Sequence, residues 1–178
     1  MLAEPIKNEK IIKEMFEALS MRPRNGFIFS LYFELALSTG LRVSDILSLK
    51  KKDIENGVVK LKTKKTGVYR HLALNDRCRS NLEALLSTKR DDDPIFNFGR
   101  QWVHKFLKDA AKDIGIDASR ISTHTTRKTA AWFFYLDSGK DLVKTQKFLG
   151  HRDPKETLVY LMINDDEVNE TLVHRSWT

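Results

Sequence analysis

Cysteine occurs once in the 178 residues, at Cys78, so no disulfide can close within the chain, as expected of a protein kept in a reducing cytosol. Cys78 falls in a helical pattern, where a half-buried packing role is expected of it. Long apolar runs are lacking too. The longest candidate, Phe27–Leu37, is broken by Ser30 and Glu34 and is shorter than the about 18 residues of a membrane helix. The first ten residues, MLAEPIKNEK, hold no apolar signal core, so a cytoplasmic protein is expected. There is no repeat, no low-complexity stretch and no linker-like segment. No carboxylate cluster and no His/Cys set stands at metal-ligand spacing.

What is present reads as one globular domain spanning residues 1–178, with 41% hydrophobic and 31% charged residues. Lys and Arg outnumber Asp and Glu by 31 to 24, a formal charge of +7. The excess is local. Lys50, Lys51, Lys52, Lys60, Lys62, Lys64, Lys65 and Arg70 face only Asp53 and Glu55 across one stretch, whereas Asp165, Asp166, Glu167 and Glu170 crowd the C-terminal end. One surface therefore suits a polyanion, although a solvated charged face explains charge equally well.

The periodicity predicts a mainly α domain with one small antiparallel β-sheet. Asn8 caps a helix to about Leu19; a largely buried helix covers Phe27–Ser38 and stops at Gly40; Ser44 caps Asp45–Leu49. Val58–Leu61 and Tyr69–Leu74 read as strands joined by the turn Lys64-Lys65-Thr66-Gly67. Helices follow from Asn75/Asp76 to Leu86, over Arg100–Ile114, over Thr125–Leu136 with Thr123 as cap, and over Asp141–Leu149. Pro154 opens a last main helix, Lys155–Met162, and a small terminal helix is expected at Asp165–Val173.

Five polar features fall at element edges. Arg42 follows the helix-ending Gly40, and Asp45 three residues on is placed to hold its guanidinium, as an ordinary helix-terminal ion pair also would be. The hairpin tip carries Lys64 and Lys65, either of which can be presented to a phosphate or simply be solvated. His124 and Arg127 share a face at a helix start, where free backbone N–H groups suit an anion, and Ala130, Ala131, Phe133, Phe134 and Leu136 beyond them read as core. His151 stands in a turn after Gly150, and Tyr160 follows nine residues later; alone, each reads as structural.

Together, Gly40-Leu41-Arg42, the Lys65 hairpin, His124-x-x-Arg127, Leu149-Gly150-His151 and Tyr160 resemble the tyrosine recombinase (phage integrase) family over about residues 4–172. The resemblance implies the catalytic-domain fold of that family and cleavage of double-stranded DNA without metal or ATP. Tyr160 is then the nucleophile, giving a 3′-phosphotyrosyl bond, with strand exchange through a Holliday junction. Arg42, Arg127 and His151 bind the phosphate, His124 takes the proton, Lys65 (or Lys64, under another alignment of the turn) acts as general acid, and Asp45 orients. Lys62, Lys64, Thr66 and Arg70 are expected at the DNA.

The family's N-terminal core-binding domain has no counterpart in these residues, so weak binding and little site selection are expected of this chain alone. The resemblance further implies a monomer in solution, a tetramer on DNA, a bacterial protein at the nucleoid when acting, and a tail (165–178, with Leu172, Val173 and Trp177) that packs on a neighbouring protomer. A DNA-binding regulator without catalysis explains the charge but not Tyr160 with both histidines. A resolvase or a type IB topoisomerase shares the chemistry and differs in outcome.

Overall fold

The computed structural model describes residues 3–163 together with Asp165, Val168, Asn169 and Val173. The described residues form eight α-helices, two short 3-10 helices and one three-stranded sheet. Helix α1 (Glu9–Ser20) is capped by Asn8, whose side chain accepts from the Lys10 N–H, and buries Met15 and Leu19. Helix α2 (Gly26–Thr39) is buried on most of its circumference and ends at Gly40 in the left-handed region (φ 57°). A Cβ on Gly40 would lie 2.8 Å from the Phe148 ring, so a side chain there is opposed by both backbone and space.

The short α3 (Val43–Ile46) starts two residues before the expected Asp45, and Arg42, not Ser44, occupies its cap position. Strands β1 (Ile54–Glu55), β2 (Val58–Lys62) and β3 (Tyr69–Ala73) form an antiparallel sheet in that order. The register pairs Lys62 with Tyr69, which sets residues 63–68 as the hairpin loop. Two-residue β1 was not expected, being too short to show a period. Helix α4 (Asp76–Leu86), capped by Asn75, buries Cys78 completely; the expected half-burial is corrected, and burial pushes its thiol up to about 12.

Helix α5 (Arg100–Asp113) packs Val103, Phe106, Leu107 and Ala110 on the main core with α1 and α2. Helix α6 (Thr125–Asp137) follows with His124, not Thr123, at the cap position. Ala130 and Ala131 are core as expected, but the burial on either side of them is not. Thr125 to Ala131 are buried, Phe133 and Phe134 are half-buried, and Leu136 is exposed. The reason lies in what surrounds the polar start: it runs between the ends of other elements whose backbone carbonyls satisfy it.

Helices α7 (Leu142–Leu149) and α8 (Pro154–Leu161) pack on α6 and build a second, smaller core of Ala131, Leu149 and Leu161 with Trp132, Phe148 and Tyr160 against it. Asp141 and Asp153 cap them through side-chain acceptance from Lys144 and Lys155 N–H groups. The terminal helix expected at Asp165–Val173 and the tail with Leu172 and Trp177 fall largely outside the described residues. No helix among the described residues is long and apolar enough to cross a membrane.

Candidate active site

Arg127 is the centre of the site. It is 2% exposed, and its guanidinium is held by groups far apart in sequence. Nη1 donates to the Gly40 carbonyl, where α2 ends. Nη2 donates to Leu149 O at 2.8 Å, where α7 ends, and reaches His151 Nε2 at 3.0 Å. Its Nε–H has no acceptor among the described residues. Burial first, and then the nearby Arg42 charge, push the guanidinium below its ordinary value, with Tyr160 acting in the opposite sense.

His151 sits in the turn after Gly150, which is left-handed (φ 66°). A Cβ on Gly150 would fall 2.6 Å from Arg70 Nη1, so the turn admits only glycine without displacing that guanidinium. Because an arginine only donates, His151 Nε2 accepts, which places the ring proton on Nδ1, where it is donated to Thr157 Oγ1 at 3.0 Å. Burial, then the charges of Arg127, Arg42 and Lys65, push the imidazole down to about 4. It is neutral at pH 7.

The sign of the pH effect follows from that value. Between pH 6.5 and about 4 the unfolded chain takes up a proton that folded His151 refuses, so folding loses stability as pH falls through that window. The full effect is about 3 kcal/mol, developed by pH 4. Urea unfolding of the wild type and His151→Gln at pH 7, 5.5 and 4 measures it. The stability gap between the two proteins changes by that amount towards low pH; parallel pH dependences would refute the assignment.

Tyr160 lies half-buried on α8. Its ring meets His151 edge-on at 4.8 Å between centroids, with Arg127 Cζ at 5.5 Å and Lys128 Nζ at 5.8 Å from the ring centroid. His124 faces the same region. Burial, then Arg100, Arg127, Lys128 and Arg42, lower its pKa, so the ring resists taking up a second proton. Arg42 is half-buried at the N-terminal edge of α3, and its charge is felt by Arg70, His124, Arg127 and His151. Its side chain forms no hydrogen bond or ion pair among the described residues.

The expected Arg42–Asp45 pair is not formed. Asp45 is 1% exposed, and its Oδ1 accepts the Lys64 backbone N–H at 2.9 Å. Arg42 is extended at the cap (ψ 149°), so the two side chains do not share a helical face, and the carboxylate turns to the hairpin. Asp45 Oδ2 is left without a partner among the described residues. The hairpin loop is closed by Thr63, which donates its N–H to Val68 O, and by a Thr63–Thr66 hydroxyl contact at 2.8 Å.

Lys62, Lys64 and Lys65 are exposed on this hairpin, and Lys62 Nζ lies 5.4 Å from the Tyr69 ring centroid. Thr66 O accepts from Arg152 at 3.1 Å. Arg70, expected at the DNA, donates from its guanidinium to the carbonyls of Lys147 and Phe148 at the end of α7.

Sequence reasoning passed over Arg100, His104 and Lys128. They line a cleft of about 800 Å³ beside His124. Arg100 and His104 stand four residues apart on one exposed face at the start of α5, a spacing that offered the signal. Lys128 offered none, since a lysine beside Arg127 reads as surface.

The arrangement gathers arginines and histidines around a phenol, with the Arg42 guanidinium and the buried Arg127 Nε–H unpartnered among the described residues, the equipment for holding a tetrahedral anion against a nucleophile. The chain matches the model of the phage integrase family over residues 8–167. It is 33% identical over 145 residues to the tyrosine recombinase XerA of Saccharolobus solfataricus, an alignment that covers 80% of this chain and 48% of that protein. It is 26% identical to the probable integrase/recombinase YoeC of Bacillus subtilis, over 93% of this chain and 92% of that one. The crystal structure of a XerA recombinase superposes with a TM-score of 0.78 at 23% identity, covering 99% of this chain and 66% of the other. The chain thus spans about half the length of the XerA relative. On the residues matched and the fold that carries them, this chain is a member of the phage integrase family.

Proposed function

We propose that this domain breaks and rejoins double-stranded DNA by transesterification at Tyr160. The observation that carries the reading is the packing of Tyr160 against both Arg127 and His151, within the field of Arg42. The Tyr160 oxygen attacks a backbone phosphorus. A phosphotyrosyl bond forms on the 3′ side as the bond to the 5′ oxygen breaks. His124, kept unprotonated by its surroundings, receives the phenolic proton. Lys65 supplies a proton to the departing 5′ oxygen from the exposed hairpin tip, with Lys64 beside it gripping the backbone. A 5′-hydroxyl of another strand reverses the sequence, so one ester replaces another and no energy source is consumed.

Arg42 and Arg127 offset the charge that grows on the phosphoryl oxygens. Arg127 at rest spends Nη2 on Leu149 O and His151, while its Nε–H waits unpartnered. A phosphodiester placed between them offers that N–H an acceptor. The same anion favours a proton on His151, which turns Nε2 into a donor towards the phosphate. Asp45 orients the hairpin through the Lys64 N–H and takes no part in proton transfer. Lys62 and Thr66 complete the hairpin's contact with the DNA backbone. Exchange of strands through a Holliday junction within a tetramer on DNA completes the proposal.

A nicked duplex tests it, because the short fragment released on cleavage diffuses away and strands the covalent product. The wild-type chain leaves a band of protein joined to DNA on a denaturing gel, formed without added metal and lost after protease digestion. Retarded mobility on a native gel with no such band would mean a binder without catalysis. Relaxation of supercoils without strand exchange would assign the same chemistry to a topoisomerase.

A further inference from the structure

The segment before α1 crosses the molecule to reach the tyrosine helix. Ile6 is buried, and its N–H donates to Thr129 Oγ1 at 2.8 Å, fixing residues 3–7 along α6. From this strap Lys7 Nζ donates to Met162 O at 3.0 Å while lying 3.9 Å from the Trp132 ring centroid. From α6 itself, Lys128 Nζ donates to Ala3 O at 2.7 Å and to Met162 Sδ at 3.3 Å. Met162 is thus gripped at its carbonyl and its sulfur by two ammonium groups. It terminates α8 in a left-handed conformation (φ 47°, ψ 49°), two residues after Tyr160.

Lys128 is only 5% exposed and has no carboxylate in direct contact among the described residues. Burying an ammonium against a carbonyl and a thioether costs more than burying a methionine of similar length. Packing alone therefore does not account for it. What the lysine adds is direction, since its donors tie the strap to the far end of α8.

We propose that Lys7 and Lys128 form a clasp that holds the C-terminal end of α8 and thereby sets where the Tyr160 hydroxyl stands relative to Arg127, both lysines being positioning residues. This rests on Tyr160 being the nucleophile. The Ala3 and Met162 carbonyls, the Met162 sulfur, the Tyr160 and Trp132 rings and the Glu4 charge all bear on the clasp. Losing either lysine leaves the site residues in place and widens the positions that the phenol samples. A nucleophile held about 1 Å out of place loses about 10²-fold in rate, so a partial loosening is expected to cost about tenfold.

The test is single-turnover cleavage of the nicked duplex over a range of DNA-free to DNA-saturating protein concentrations, with Lys7→Met, Lys128→Met and the double variant. Lys128 also lines the cleft beside His124, so Lys7→Met, at a residue that does not line it, is the decisive arm. Each single variant is expected to lower the saturating cleavage rate about tenfold with half-saturation unchanged. The double variant is expected to fall little further, because both lysines hold one residue. Saturating rates equal to wild type in Lys7→Met would overturn the clasp, even if Lys128→Met fails to fold. Weaker half-saturation with an unchanged saturating rate would assign Lys128 to DNA contact and overturn it as well. If the wild type itself forms no covalent product, the fault lies with the assignment of Tyr160.

Discussion

Tyr160→Phe forms no covalent product with the nicked duplex at any time or concentration, while its unfolding free energy in urea stays within about 0.5 kcal/mol of the wild type. The substitution removes one oxygen atom and leaves the ring that packs against His151 and the small core of Ala131, Leu149 and Leu161. No other side chain takes over, since the remaining groups around Arg127 are cations and imidazoles. Native-gel affinity for the duplex is retained, because the phenol contributes no charge. A residual adduct in Tyr160→Phe would move the nucleophile to another residue, and a large drop in stability would make the ring's oxygen structural.

Arg127→Met is expected to do the opposite and damage both rate and stability. The methionine fills much of the space, but it abandons the carbonyls of Gly40 and Leu149 and the acceptor nitrogen of His151. Each buried acceptor left unpaired costs about 1–3 kcal/mol, so a loss of about 3 kcal/mol or more in urea unfolding is expected. The cleavage rate of the folded fraction falls by about 10²-fold or more, the usual effect of removing one donor that matches transition-state charge. Arg127→Lys keeps the charge yet cannot span both carbonyls, so it recovers little of the rate. A variant as stable as the wild type would show that the tie between the ends of α2 and α7 is redundant. A rate unchanged in the folded fraction would remove Arg127 from the chemistry.

These two residues also show how unevenly the sequence disclosed the molecule. The apolar stripes of α1 and α5 and the caps Asn8 and Asn75 are local signals, and the structure carries them where the sequence puts them. Helix α6 misleads because Thr-Thr-Arg-Lys-Thr looks solvated and is buried, whereas Phe133 and Phe134 look buried and are only half so; Ala130 and Ala131 between them are core as expected. Whether a polar run can be buried depends on which carbonyls await it, and those belong to Gly40 and Leu149, 87 and 22 residues away. Asp45 misleads for a related reason: spacing of three residues implies a shared face only inside a helix, and Arg42 stands at its cap. The motif residues were legible as a set because their order in the chain is distinctive. That Arg127, His151 and Tyr160 touch one another was not, since contact is a property of the packed helices α6, α7 and α8.

Two guanidiniums stitch the hairpin to the segment that bears His151: Arg70 to the carbonyls closing α7, and Arg152 to Thr66 O. A lysine tip sewn down in this way cannot swing inward while the imidazole stays behind. Under the chemistry proposed for Lys65 and His151, proton delivery to the leaving oxygen and capture of the phosphate would then be geared to each other, and a duplex that fails to seat the hairpin would forfeit both at once.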